Sequence, residues 1–395
     1  MNKLKIKIKT VLKKTRMPIR VAIVGVGNCA SSIVQGVALA KTGENKLKGV
    51  TFPDIGGYKP SDIDFVIGFD IDERKVGKNV AEAIFSEPNC AYEIYGEARL
   101  MESGKVFSAP MLDGVAPHML TGHASERFIP TNELGVSHDL AVLLLKDKNV
   151  DILVNYLPVG SQIATEFWAN VCIEAKVSMC NCIPVFIASD PVWEKKFANA
   201  GINLIGDDMR SQFGASVLSQ MLQELAAARG HTVKCHIQRN VGGNTDFRNM
   251  ENKERLVSKK ISKENVLRGV ENESSSFLHA GPSEYISYFG DSKKANFHIE
   301  MEGFGGAPVT LDAELNVEDS PNSAGVVIDA IRFLKVAREL GICGSLRGAS
   351  AFTQKTPPKQ MLFSEATAEC DALAKRVITS STRQQIPYLI PLYQK

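Results

Sequence analysis

Residues 20–30, RVAIVGVGNCA, decide the fold, and the segment SSIVQGVALAK follows them at 31–41. The apolar, β-branched run before Gly25 predicts a strand, and the spacing of apolar residues after Ala30 predicts a helix. In the pattern G-x-G-x-x-A, Gly25 permits a tight turn and Gly27 lets a pyrophosphate approach the backbone, while Ala30 allows close helix–strand packing. A helix that begins here points unpaired N–H groups at an anion. The residues expected at a dinucleotide cofactor are Gly25, Gly27, Asn28, Cys29 and Ala30.

An acidic residue is expected at the end of the next strand, where it would bind the adenosine ribose. The segment DFVIGFD at 64–70 supplies a predicted strand and ends on Asp70. Asp70 favours NAD over NADP, because its charge would repel a 2′-phosphate. It lies about 45 residues after Gly25, where about 20 is usual, and the excess is a loop at 41–64 rich in glycine and proline. Asp70 could instead be a turn or helix-capping aspartate.

Alternation of strands and helices continues after residue 150. Apolar runs predict strands at 151–157, 177–183 and 202–206, and helices are predicted at 164–176 and 191–201. Continuously apolar strands separated by helices are typical of a doubly wound parallel sheet. Residues 91–140 have no regular pattern and cannot be assigned.

The pattern changes near Ser211. A predicted helix at 215–230 leads to three segments, 233–237, 295–301 and 309–317, in which apolar and polar residues alternate. This period of two indicates strands of an antiparallel sheet with one solvated face. Helical periodicity returns at 324–340. We therefore expect a Rossmann-like α/β fold with an inserted α+β domain, divided into a basic extension (1–16), an NAD-binding domain (17–210), an inserted catalytic and oligomerisation domain (211–320) and a return to the NAD-binding domain (321–395).

Composition limits the class of protein. The chain has 395 residues, of which 44% are hydrophobic and 23% charged, and no apolar run approaches the roughly 18 residues of a membrane span. No secretory signal is recognisable. The eight scattered cysteines favour reduced thiols in the cytoplasm over a disulfide framework, and Cys180 and Cys182 fit a buried strand better than a zinc site.

The basic charge is concentrated at the beginning of the chain. Residues 1–20 carry eight Lys or Arg and no acidic residue, although the net charge of the whole chain is only +2. Such a segment could contact nucleic acid or anionic membrane, or resemble a transit peptide. We favour a disordered basic extension and expect no nucleic-acid partner.

Polar clusters follow several predicted strands in the second half. They are GDDMRS at 206–211, NVGGNTD at 240–246, SKKISK at 258–263, GDSKK at 290–294 and Lys355 in KTPP. Lys259 and Lys263 would share a face if their segment is helical. A lysine run is usually a solvated surface, so by themselves these residues indicate only an NAD-binding, two-domain enzyme with a cationic site.

The chain as a whole resembles the inositol-phosphate synthase family, and most closely its shorter bacterial and archaeal members. The resemblance runs from Met17 almost to the C-terminus. It rests on the stretches VAIVGVGNCASS, YLPVGS, PVFIASDPVW, GDD, NVGGN-D, SKKISK, GDSK, DSPNSAG and KTPP. Several such stretches in the same order are far more specific than the glycine motif alone.

The resemblance assigns roles residue by residue. The catalytic lysines that it implies are Lys259, Lys263, Lys293 and Lys355. The substrate contacts are Asp208, Ser211, Asn244, Asp246 and Asp319, and Asp208 also contacts the cofactor. This chain departs from longer members at Gln212 and Phe213, where they have Gly-Gln, so the resemblance does not carry over their backbone contacts to the substrate there. Lys260 and Lys294 match no lysine of the family pattern and are expected at the surface.

The activity implied by the resemblance is that of inositol-3-phosphate synthase. D-glucose 6-phosphate would be oxidised at C5 with NAD, enolised, cyclised by an intramolecular aldol addition and reduced again, so that the net reaction is an isomerisation serving inositol and phospholipid biosynthesis. A cytoplasmic homotetramer is implied. No His/Cys cluster indicates a metal site, but members of the family differ in their cation requirement, so a need for a divalent or monovalent cation stays open. Two alternatives stay open from the residues alone, a dehydrogenase of a phosphorylated or acidic substrate and an NAD-responsive regulator.

Overall fold

The computed structural model describes residues 17–43, 46–252, 277–383 and 385. The predicted basic extension at 1–16 lies outside these residues. Lys259, Lys260 and Lys263 also lie outside them, so the structure does not test their predicted roles.

A seven-stranded parallel sheet forms the centre of the molecule, as the apolar strands predict. Its strands lie in the spatial order β11-β6-β5-β4-β1-β2-β3, and every neighbouring pair is parallel. In chain order they are β1 (Ile19–Val24), β2 (Ile63–Asp70), β3 (Val106–Ser108), β4 (Ile152–Asn155), β5 (Ser178–Asn181), β6 (Asn203–Ile205) and β11 (Gly344–Ser345). The strand order reverses between β1 and β4, which creates the crevice where such sheets bind ligands.

Helices cover both faces of this sheet, and each face has its own buried apolar cluster. The helices of the described residues are α1 (Asn28–Lys41), α2 (Val80–Ala83), α3 (His138–Asp147), α4 (Gln162–Ala175), α5 (Pro191–Asn199), α6 (Ala215–Ala228), α7 (Thr245–Asn249), α8 (Asp319–Glu339), α9 (Arg347–Thr353), α10 (Phe363–Ala374) and α11 (Ser380–Arg383). The predicted doubly wound α/β fold is therefore confirmed.

The long loop between α1 and β2, which delays Asp70 in the sequence, packs against α8. The Asp329 carboxylate accepts a hydrogen bond from Thr51 N at 3.2 Å. The fully buried Arg332 donates through Nη1 to the Tyr58 carbonyl at 3.2 Å. Gly56 has φ +58°, and a Cβ there would lie 2.7 Å from Val336 Cγ2. The insertion is thus a docked part of the core.

The second sheet has four strands in the order β10-β9-β7-β8. They are β7 (Thr232–Gly242), β8 (Phe277–Tyr285), β9 (Ser292–Glu302) and β10 (Pro308–Glu318). The β10–β9 and β9–β7 pairs are antiparallel as predicted, but β8 lies parallel to β7. The three predicted strands therefore pair in the expected antiparallel manner, and β8, a strand that the sequence pattern does not predict, makes the sheet mixed. The connection from Gly242 to Phe277 is far longer than the dozen residues that a parallel crossover needs.

The buried side chains of β7 are its polar ones. The alternation at 233–237 predicts the opposite, that the apolar side chains are buried. In β9, Phe297 and Ile299 face inward. In β7 the inward residues are His236, Gln238 and Asn240, all buried. Buried polar side chains require hydrogen-bonding partners, so this face of β7 carries a polar structure that the sequence pattern did not predict.

Two further predictions are refined. Helix α8 begins at Asp319, five residues before the predicted start at 324, because the first turn has the polar sequence Asp-Ser-Pro-Asn. The unassigned stretch 91–140 contributes the short edge strand β3 and the first turn of α3. Among the described residues, no helix is both long enough and apolar enough to cross a membrane.

Candidate active site

One cavity lies where the carboxyl ends of the parallel strands meet the second sheet. Most of the predicted site residues that the structure describes contribute to its wall. They are Gly25, Gly27, Asn28, Cys29, Asp70, Asp208, Ser211, Asn244, Asp246, Lys293, Asp319 and Lys355. Ala30 is the exception. It lies in the first turn of α1 and is fully buried in the apolar core, which fits the packing role expected of the third motif position.

The glycine-rich turn has the geometry that the motif predicts. Gly25 has φ +85°, and a Cβ there would lie 2.6 Å from the Tyr156 carbonyl oxygen. Gly27 precedes α1 as its N-cap and has no atom within 4 Å of a built Cβ. The first glycine is therefore required by a close backbone approach, and the second leaves open space at a helix N-terminus, where a phosphate fits.

Asp70 holds the turn in place from the end of β2. Its Oδ2 accepts from Val26 N at 2.7 Å, and its Oδ1 accepts from Ile71 N and Asp72 N. Lys75, which the sequence interpretation missed, is buried with its Nζ 4.0 Å from Asp70 Oδ2. Burial lowers the pKa of Lys75. Asp70 thus organises the turn. The electrostatic surroundings of the expected ribose site include Lys75 as well as the Asp70 carboxylate.

The two aspartates after β6 have different surroundings. Asp207 is buried and accepts hydrogen bonds from Ala188 N and Ser189 N, and burial raises its pKa to about 6. Asp208 lines the cavity at φ +62°, and its Oδ1 lies 2.9 Å from Lys355 Nζ. Asp207 therefore shapes a loop, whereas Asp208 brings the C-terminal Lys355 to the site.

A second ion pair lies on the side of the cavity formed by the second sheet. Lys293 Nζ lies 3.1 Å from Asp319 Oδ1, and both side chains are about one-fifth exposed. Lys293 is also 5.9 Å from the centre of the Phe247 ring. The pair joins the first residues of β9 to the first turn of α8, so both described lysines of the predicted set are held by carboxylates.

Asp291 connects three parts of this wall and was missed by the sequence interpretation. Its carboxylate accepts from Ser320 Oγ at 2.8 Å, Ser320 N at 3.1 Å and Asn244 Nδ2 at 3.1 Å. Asn244 Oδ1 in turn caps α7. Burial, and then the nearby charge of Asp319, raises the pKa of Asp291 to about 7. Its place in the GDSK stretch beside Lys293 was the available signal.

The thiol of Cys29 is neutral near pH 7. Burial raises its pKa to about 12, and the charges of Asp291, Asp319 and Asp246 add to this effect. A thiolate is needed for nucleophilic attack. Cys29 therefore belongs to the cavity wall and not to a nucleophilic site.

The departure from longer family members at Gln212 and Phe213 has a structural counterpart. Gln212 N donates to Asn322 O, Phe213 N donates to Asn322 Oδ1 at 3.1 Å, and the Phe213 side chain is exposed. These two backbone N–H groups are thus bonded to the beginning of α8. Among the described residues, no group of three or more His, Cys, Asp or Glu could hold a metal ion.

The fold and the cavity together define a class of protein. A parallel sheet provides a glycine-rich, dinucleotide-type turn, and a second sheet provides carboxylates and lysines to the same cavity. These features define a Rossmann-type protein whose candidate active site lies between two sheets.

Comparisons with known proteins identify the family. Residues 214–320 match the myo-inositol-1-phosphate synthase family model. The chain is 41% identical to an inositol-3-phosphate synthase of Mycolicibacterium smegmatis, over 89% of this chain and 97% of that protein. It is 42% identical to an inositol-3-phosphate synthase of Mycobacterium tuberculosis, over 89% of this chain and 95% of that protein. The chain belongs to the myo-inositol-1-phosphate synthase family, in its shorter bacterial type.

A solved structure agrees in fold. A myo-inositol-1-phosphate synthase-related protein from Thermotoga maritima superimposes with a TM-score of 0.72 at 22% identity, over 90% of this chain and 98% of that one. At this identity the likeness supports the fold alone.

Proposed function

We propose that this protein is an inositol-3-phosphate synthase that converts D-glucose 6-phosphate to inositol phosphate with NAD as a recycled cofactor. The observation that carries the proposal is the joint cavity: the glycine turn of β1–α1 and the ion pairs of Lys293 and Lys355 line the same space. Family membership and about 41% identity to inositol-3-phosphate synthases support it.

The cofactor residues fit NAD. The open space at Gly27 suits a pyrophosphate at the N-terminus of α1, and Asp70 lies where a ribose hydroxyl would be bound. Bound NAD⁺ would accept a hydride from C5 of the sugar and return it to C5 later. The task of Gly25, Gly27, Asp70 and Asp208 is to orient the nicotinamide end against the second sheet.

The lysines supply electrostatic stabilisation. Oxidation at C5, enolisation and ring closure all develop negative charge on sugar oxygens beside a dianionic phosphate. Fixed ammonium groups aimed at such charge lower the barrier. We assign Lys355 to the reacting oxygens and Lys293 mostly to the phosphate and O1, and Lys259 and Lys263 to the same two tasks respectively.

The carboxylate partners of the two described lysines hold their ammonium groups in position. Asp208 and Asp319 each bond one lysine, which fixes its position while the sugar is absent. Ser211, Asn244 and Asp246 line the adjacent wall and would bind sugar hydroxyls. Two groups are candidates to remove the C6 proton, a lysine of this set and the phosphate of the substrate.

We also propose a cytoplasmic homo-oligomer, a tetramer by family resemblance, with the domain boundaries stated above. Exposed apolar side chains on α6, Met221 and Leu225, support an interface on the second domain. Light scattering coupled to size-exclusion chromatography tests the tetramer, and a monomer at micromolar concentration would contradict it.

The direct test is product identification. The purified protein, glucose 6-phosphate and catalytic NAD should yield inositol phosphate detected by NMR or mass spectrometry. A dehydrogenase would instead accumulate NADH, measured at 340 nm, in proportion to the substrate oxidised, and that result would contradict the proposal.

Lys355→Ala and Lys293→Ala should each lower kcat by about 10²–10⁴, the range of a positioned acid–base group. Lys294→Ala is the matched control, because Lys294 follows Lys293 directly but does not line the cavity. Single-turnover NADH formation measured beside glucose 6-phosphate affinity separates chemistry from binding. A near-normal kcat in both cavity variants would remove these lysines from the mechanism.

Lys259→Ala should likewise lower kcat by about 10²–10⁴ while glucose 6-phosphate still binds. Lys260→Ala, its neighbour in the sequence, should be nearly silent. If Lys260→Ala is the inactive variant instead, the register assigned to SKKISK is wrong.

A further inference from the structure

A buried chain of hydrogen bonds runs from α6 to the cavity through β7. Gln223 Nε2 donates to His236 Nδ1 at 2.9 Å, and His236 Nε2 lies 3.2 Å from Ser219 Oγ. Ser219 Oγ donates to Gln238 Oε1 at 3.1 Å, and Gln238 Nε2 donates to Asn240 Oδ1 at 3.0 Å. All five side chains are buried, yet Gln238 and Asn240 also line the cavity. The chain therefore ends on a polar surface that a ligand would contact.

The direction of this chain is fixed at His236. Burial lowers the pKa of His236 to about 4, so the ring is neutral at physiological pH. A neutral imidazole has one acceptor and one donor nitrogen. Because the Gln223 atom that faces Nδ1 is the amide nitrogen, which can only donate, the ring proton resides on His236 Nε2 and is donated to Ser219 Oγ. The Ser219 hydroxyl must then give its own proton to Gln238.

This direction determines which end of the Gln238 amide faces which partner. Without it, the amide could turn over and present either oxygen or nitrogen. With Oε1 held by Ser219, one N–H of Nε2 bonds to Asn240 Oδ1, and the other has no partner among the described residues. An amide N–H that is left unpaired when a ligand fills the cavity is costly, so it suits an oxygen acceptor that arrives with the ligand.

We propose that Gln238 is a further substrate-binding residue, which donates an N–H to an oxygen of the bound sugar phosphate, and that Ser219 and His236 are positioning residues that orient its amide. The inference rests on the proposed function for the identity of the substrate. Gln238 lies in β7 and Lys293 in β9 of the second sheet, and Asn244 closely follows β7, so the contact of Gln238 is with the sugar phosphate and not with the dinucleotide turn.

Gln238→Met retains the length of the side chain and removes the donor. It should raise the Kd and KM for glucose 6-phosphate about 3- to 10-fold, the range for one lost hydrogen bond, with NAD affinity and kcat little changed. Gln35→Met is a matched control, because Gln35 is a buried amide in α1 that does not line the cavity. It should lower thermal stability and leave glucose 6-phosphate binding unchanged. Equal affinity in Gln238→Met and wild type would overturn the proposal.

The positioning roles are tested by non-additivity. Ser219→Ala and His236→Phe should each raise the Kd for glucose 6-phosphate about 2- to 5-fold, and Ser219→Thr should restore it by returning a hydroxyl. In a Gln238→Met background neither change should weaken binding further, because both act through Gln238. If the increases in Kd of the single variants multiply in the double variants, Ser219 and His236 have a general structural role, which would overturn their assignment as positioning residues. Calorimetric binding of glucose 6-phosphate is measured whether or not inositol phosphate is formed, so failure of this inference is distinct from failure of the proposed function.

Discussion

Asp70 shows how one carboxylate can serve both backbone and ligand. It accepts three backbone N–H groups, one from the glycine turn and two from the residues after β2. Oδ1 accepts two of these groups and Oδ2 only one, so Oδ2 has a further lone pair for a ribose hydroxyl. Cofactor selection and turn geometry are therefore linked at this residue.

Asp70→Ala should weaken NAD binding and relax the rejection of NADP. Asp70→Asn retains an oxygen for the turn and removes the charge, so it should keep more NAD affinity while also relaxing the rejection of NADP. Both Kd values are obtained by calorimetry. Unchanged selectivity in the two variants would assign Asp70 to the turn alone.

Asp291 should make stability depend on pH in a definite direction. Its folded pKa of about 7 exceeds the ordinary value of 3.8, so between these values the folded protein binds the proton more strongly than the unfolded chain does. The contribution of Asp291 to the free energy of unfolding therefore falls as pH rises towards 7. Relative to Asp291→Asn, the wild type should lose stability from pH 5 to 8, as measured by thermal unfolding.

The same residue also tests the wall of the site. Asp291→Ala leaves Ser320 and Asn244 without their acceptor, and each buried unsatisfied group costs about 1–3 kcal/mol. Activity should fall more than in Asp291→Asn. A pH profile shared by the wild type and both variants would show that Asp291 does not titrate in this range.

Helix α8 contacts both the cavity and the loop between α1 and β2. Its first turn supplies Asp319 and Ser320 to the cavity, and its middle holds the 50–58 loop through a fully buried pair, Asp329 and Arg332. A buried ion pair contributes little net stability, but loss of one partner leaves a charge without compensation.

Arg332→Met should therefore lower the free energy of unfolding by about 3–5 kcal/mol. The double variant Asp329→Leu/Arg332→Met should recover part of this loss, because no charge remains buried. Lys335→Met is the control one turn further on, where the partly exposed pair with Asp151 should contribute less than about 1 kcal/mol. Urea midpoints measure all three, and equal losses in Arg332→Met and Lys335→Met would contradict the role of burial.

Across the whole molecule, local sequence patterns predicted the features that depend on residues close together in the chain. Strand β1, Gly25 and Asp70 follow from short-range spacing and β-branched composition, and the structure confirms their geometry. The parallel pairing of β8 with β7 depends on a distant connection, and no property of 277–285 indicates it. Gln238 and Asp291 were missed because their importance arises from partners on α6 and α8, which approach them only in the folded chain. The lysines of SKKISK remain a prediction.

In the proposed reaction, oxidation at C5, ring closure and reduction at C5 all take place in one cavity, and the hydride removed from C5 is returned to the same molecule. Glucose 6-phosphate carrying deuterium at C5 tests it most directly, with unlabelled NAD at a small fraction of the substrate concentration. We expect inositol phosphate in large excess over NAD, with the deuterium retained in the product and no net rise in absorbance at 340 nm. Deuterium found in free NADH, or an oxidised sugar phosphate formed in step with NADH, would contradict it.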